Sequence, residues 1–171
     1  MNSILAGWRM KWEEIDREAL IAAIETEMPE VNQYFDLKTG EVLTIVGPVW
    51  VKTDDGALDR IARANRELAY RVRAEPDRYE LMPSIASEAA FRWMQEFAAT
   101  VSDRHLREKL QKVLHDCTDD CFQAFRHAMM RAPVEERERY FAFRNEKIAE
   151  FIDTWLEGRI EPSQRGKVAK G

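Results

Sequence analysis

All three histidines and both cysteines of this chain fall between His105 and His127. His115, Cys117 and Cys121 bring one imidazole and two thiols close together in sequence. Soft donors at short range are what a tetrahedral Zn²⁺ site draws on, and with a water in the open position such a site does hydrolytic chemistry. The spacing here is Cys-x-x-x-Cys, not the Cys-x-x-Cys of most zinc knuckles. With Cys121 opening a helix and Cys117 in the loop before it, the two side chains need not converge. The competing reading is a helix–helix turn that holds a small buried thiol and exposed histidines. On that reading both thiols are reduced, since cytosolic disulfides are rare, and no zinc or other cofactor is bound.

Other residues offer chemistry more weakly. Glu88 beside Ala89, Ala90 and Phe91 is a carboxylate in apolar company, as a general acid or base requires. It is also a first-turn acid with Arg92 four residues on, which suits the helix dipole and an i,i+4 pair. Asp36 is a candidate metal ligand and, more simply, a turn-capping carboxylate. Arg60, Arg63 and Arg66, with Arg71 and Arg73, stud the stretch 57–74. They could follow a phosphate backbone, with Tyr70, Arg78 and Tyr79 for stacking. Asp59, Glu67, Glu75 and Asp77 are interspersed among them, the pattern of a solvated face. There is no Gly-rich phosphate loop, no G-x-S-x-G and no H-E-x-x-H.

These residues need elements to position them. Residues 134–156, VEERERYFAFRNEKIAEFIDTWL, form the longest apolar-periodic run. Phe141, Ile148, Ile152 and Trp155 fall on one face of a 3.6-residue helix, and Tyr140, Phe143 and Phe151 widen it. Pro133 is placed to start it and Gly158 to end it. Phe141 and Trp155 are expected to be buried, with Phe91, Met94 and Phe97 among the covering groups. Residues 13–27 also read as a helix, with Ile15, Ala19, Ala22 and Ala23 on its apolar face, joined by Leu20 and Ile24. Trp8, Met10 and Trp12 precede it without a clear pattern. Between 31 and 46 the period falls to two, and Asp36 and Gly40 flank the bend of a β-hairpin. The stretch 78–83 alternates again and supplies a third strand, which a lone hairpin needs for stability. Pro48 breaks the second strand, and Asp54-Asp55-Gly56 reads as a turn before the helix over 57–74, whose inner face is Leu58, Ile61, Leu68 and Val72. From Ser84 onward only helices follow. Ser84 or Ser87, Ser102 or Asp103, and Thr118 or Asp119 are the candidate caps, and Phe97, Phe122, Phe125 and Met129 are core residues.

The whole-chain balance limits the function. Hydrophobic residues are 45% and charged residues 33% of 171, enough for a core and a solvated surface. The net charge of −5 weighs against a dedicated nucleic-acid binder. No run approaches the ~18 apolar residues of a membrane span, and the opening residues lack a signal-peptide pattern. Residues 1–158 read as one domain, and 159–171 as a basic, disordered tail.

The YFDLKTGEV hairpin, YELMPS followed by SEAAFRWMQEF, and the closing RYFAFRNEKIAEFIDTWL together resemble a bacterial uncharacterised protein family, number 0158. The resemblance runs from about Ile15 to Leu156. It rests on Asp36, Gly40, Glu88, Met94, Phe97, Phe125, Phe143, Trp155 and Leu156. The chain departs from it at HDCTDDCF, where members carry a short glycine-containing turn. It implies a fold and a lineage but no activity. The reading is therefore an α+β protein, with an N-terminal helix and a small antiparallel sheet followed by a helical bundle. It is a cytoplasmic, non-enzymatic regulatory or accessory module that binds another protein or itself. The alternatives are nucleic-acid binding through Arg60, Arg63 and Arg66, and metal-dependent catalysis through His115, Cys117 and Cys121.

Overall fold

A computed structural model describes residues 15–25, 30–47 and 56–159. The expectations for Trp8, Met10, Trp12, Pro48, Asp54, Asp55 and residues 160–171 lie outside the described residues, as do 13–14 and 26–27 of the first helix and the side chains of Leu58 and Ile61. The fold is α+β. Its described elements are α1 (Arg17–Glu25), β1 (Val31–Asp36), β2 (Val42–Val46), α2 (Gly56–Ala74), β3 (Tyr79–Leu81), α3 (Ser87–Thr100), α4 (Arg104–Asp116), α5 (Cys121–Met130) and α6 (Val134–Leu156). They belong to two compact units, residues 1–84 with 152–171 and residues 85–151. None of the described helices is long and apolar enough to cross a membrane.

In the first unit the sheet order is β2-β1-β3, antiparallel throughout, and the hairpin register pairs Val31 with Val46 and Phe35 with Val42. The hairpin forms where the period-two pattern puts it. Asp36 Oδ1 accepts the N–H groups of Lys38 at 2.8 Å and Thr39 at 3.3 Å. Gly40 takes φ 76°, which a Cβ would disfavour. The third strand pairs Tyr34 with Leu81 and Asp36 with Tyr79. Helix α1 begins at Asp16, whose carboxylate accepts the Ala19 N–H at 3.0 Å. Leu20, Ala23 and Ile24 are its buried side.

The second unit is all helical. Met94, Phe97, Val101, Leu106, Leu110, Leu114, Phe125 and Met129 form its core. The Phe97 ring lies 4.9 Å from Tyr140 and 5.7 Å from Phe143, and Tyr140 lies 5.4 Å from Phe125. Tilted and edge-on aromatic pairs at such spacing add to plain area burial. The caps differ in part from expectation. Asp103 caps α4, accepting from Leu106 N–H at 2.7 Å. Asp120, not Thr118 or Asp119, caps α5, accepting from Gln123 N–H at 2.9 Å. Neither Ser84 nor Ser87 caps α3; Ala86 holds that position and only its carbonyl is used. Phe122 is exposed, because Phe125, Ala128 and Met129 already fill the inner side of α5.

Residues 134–151 of α6 belong to the helical unit and 152–156 to the sheet unit. In its first half the inner residues are Tyr140 and Phe143, packed on the helical core. In its last turns they are Ile152 and Leu156. At about 100° per residue, Phe141 lies on the face of Ile152 and Trp155 but well away from Phe143. It is therefore 52% exposed, not buried as the single-face reading requires. Trp155 is half-buried. The groups packed on it are Phe35, edge-on at 5.4 Å, and the Arg159 guanidinium at 4.6 Å, whereas Phe91, Met94 and Phe97 belong to the helical unit. Gly158 at φ 123° follows the helix end. Arg159 is no part of a loose tail: its Nε donates to Glu80 Oε2 at 2.7 Å and its Nη1 to the Trp155 carbonyl at 2.5 Å.

Trp155→Ala should lower the urea-denaturation stability by ~3 kcal/mol, the low end for aromatic truncation because the ring is only half-buried. Phe141→Ala should change it by no more than ~0.5 kcal/mol.

Candidate functional site

The strongest electrostatic feature lies where the hairpin meets β3. Asp36 is 1% exposed. Its carboxylate takes two hydrogen bonds from Arg78 Nε, at 3.0 and 3.1 Å, and one from Nη2 at 2.7 Å. Burial alone would raise the Asp36 pKa. The Arg78 hydrogen bonds, the Lys38 N–H, the Arg78 charge and the Thr39 contact outweigh it and hold the carboxyl below its ordinary value. Arg78 is pushed up, first by its hydrogen bonds to Asp36 and against its own desolvation. Such a bonded buried pair is costly to break from one side. The arrangement is structural, so Asp36 is the turn cap and not a metal ligand. It also removes Arg78 and the buried Tyr79 from the stacking role proposed for them on sequence.

The same unit fixes α2. Asn65 sits opposite the outer edge of β2. Its Oδ1 accepts the Val46 N–H at 2.9 Å and its Nδ2 donates to the Val46 carbonyl. A side-chain amide thereby satisfies both polar groups that an edge strand leaves open. Ala62, Asn65, Leu68, Ala69 and Val72 are the half-buried side of the helix. The outward side carries Arg60, Arg63, Arg66, Glu67, Tyr70, Arg71 and Arg73, all exposed. Sequence named the arginines; it did not show that Tyr70 stands at 71% exposure among them.

In the helical unit Glu88 and Arg92 are both exposed and do not pair, so neither is buried as a catalytic acid or its partner would be. Cys117 and Cys121 are joined in a disulfide, with Cα atoms 5.4 Å apart. This corrects the expectation of two reduced thiols. Cys117 ends α4 in extended geometry and the short loop folds back onto the first residue of α5, inside the Cα separation a disulfide accepts. His115 is exposed and its Nδ1 lies 2.9 Å from the neighbouring Asp116 carboxylate. Among the described residues no three His, Cys, Asp or Glu side chains gather as a metal site.

Sequence missed one further surface. Met130 (54% exposed) and Val134 (52%) flank the turn between α5 and α6. Val134 and Phe141, seven residues apart, share one face of α6. Met130 also borders an open depression on α5 with Asp120, Gln123, Ala124, Arg126 and His127. Periodicity could have flagged Met130 as off the buried stripe of α5, whereas Phe141 matched the stripe of α6 and misled.

A family model described as Uncharacterised protein family (UPF0158) matches residues 13–165. No curated protein and no solved structure matches the chain.

Two outcomes test the geometry. Asp36→Asn should cost about 3 kcal/mol at neutral pH, by leaving Arg78 without its counter-charge. The folded-state pKa of Asp36 is depressed, so its contribution is present above the unfolded value of about 3.9 and is lost as pH falls through the folded value. The gap between wild type and Asp36→Asn in denaturation midpoint should therefore close under acid conditions. Reducing the Cys117–Cys121 bond, which closes a five-residue loop, should lower stability by about 2 kcal/mol. Thermal melts with and without a dithiol reductant read this directly.

Proposed function

The chain belongs to the UPF0158 family, whose description carries no activity, and we propose that it is a non-enzymatic module that binds another protein through the α5–α6 surface. The carrying observation is the exposure of Met130 and Val134 at the α5–α6 turn and of Phe141 on the same face of α6 as Val134, with the depression on α5 beside Met130. Large apolar side chains rimmed by Arg126, Arg131, Glu135 and Glu138 have the make-up of a protein interface, apolar at the centre and polar at the edge. Support for a non-catalytic role comes from where the perturbed ionisable groups sit. Asp36 and Arg78 hold the hairpin, Lys147 pairs with Glu96 at 2.9 Å, and Tyr140 is packed in the core. Each is taken up by structure.

The reading also places the module in a bacterial cytoplasm. There the reducing pool would act on the Cys117–Cys121 bond, and thiol trapping in intact cells reads its state. Met130→Glu with Phe141→Glu should leave the melting temperature within the range of ordinary surface changes. It should abolish any self-association that light scattering detects in the wild type, or lose the stoichiometric protein that the wild type retains. A double variant that keeps the same association state and the same retained protein would overturn the proposal.

A further inference from the structure

We propose that the outer face of α2 is a second, independent binding site, for single-stranded nucleic acid, with arginines on the phosphates and Tyr70 against a base. Arg63, Arg66, Tyr70 and Arg73 follow spacings of three, four and three, so they form one stripe along the helix. Arg60 and Arg71 border it, and Glu67 is the one acid among the exposed residues described on this face. Cationic groups on both sides of a ring that is 71% exposed match what an unpaired strand offers: a charged backbone and free base faces. A duplex hides those faces. A bilayer surface would need an apolar side of the helix as well, and in α2 that side, Leu68 and Val72, is turned to the half-buried inner face beside Asn65 and its bonds to β2. The chain as a whole is acidic, at −5, so attraction must come from local cations such as this stripe and be steeply salt-dependent.

The site shares no residue with the α5–α6 surface, so either proposal can fail alone. The test uses the full chain and a fluorescently labelled oligothymidylate, read by anisotropy across a salt series. The plot of log affinity against log salt should have a slope of about −2, as three neutralised phosphates on a single strand require. Arg66→Gln with Arg73→Gln should weaken binding and bring the slope to about −0.7. Tyr70→Ala should weaken binding about tenfold at constant salt with the slope kept, and Tyr70→Phe should restore it. All these positions are exposed, so circular dichroism and the melting temperature should not move. Four results would overturn the proposal: no anisotropy change at low salt, a slope indifferent to the arginine pair, an indifferent Tyr70→Ala, or equal or tighter binding of duplex or of phosphatidylserine vesicles.

Discussion

The sheet unit depends on one buried carboxylate. Asp36 closes the hairpin through two backbone N–H groups and holds the chain entering β3 through Arg78. A turn and a strand entered 42 residues further along are thus fixed by the same carboxylate. The Leu37 N–H to the Arg78 carbonyl, at 2.9 Å, and the Met82 N–H to the Gln33 carbonyl, at 2.8 Å, extend that junction along the backbone. Because Asp36 is nearly inaccessible to water, each of these bonds acts at low effective dielectric, where a satisfied network stabilises and a broken one costs most. A sheet of three short strands has little apolar area of its own, so its order rests on this polar junction as much as on Phe35.

Helix α6 divides its buried positions: residues 134–151 belong to the helical unit, where Tyr140 and Phe143 pack on the core, and 152–156 to the sheet unit, where Ile152 and Leu156 are buried. Charged groups secure the second half, with Arg17 bonded to Asp153 at 2.5 Å and Arg159 to Glu80 at 2.7 Å. Phe141 lies outside both sets and is exposed.

The charge distribution follows the same logic of division. Cations collect on the outward face of α2 because its inward face is committed to β2, through Asn65 and the half-buried Leu68 and Val72. The disulfide between Cys117 and Cys121 joins the end of α4 to the start of α5. Asp120, the residue just before that helix, is its cap.

By itself the sequence determined those features that depend on neighbours along the chain. The hairpin with Gly40 at positive φ, the cap at Asp103, the stop at Gly158 and the helical second half all follow from local rules: a carboxylate reaching N–H groups two or three residues on, or a glycine where a Cβ would clash. Core residues Phe97 and Phe125 were legible because their helices each face one core. Only the tertiary structure decided which partner meets which group across long separations. Arg78 on Asp36, Asn65 on Val46, Phe35 on Trp155 and the burial limits of Phe141 and Phe122 all depend on the angle at which elements meet. Periodicity says that a helix has an inner face; it does not say which of several apolar positions, Phe141 or Tyr140 and Phe143, will lie on it.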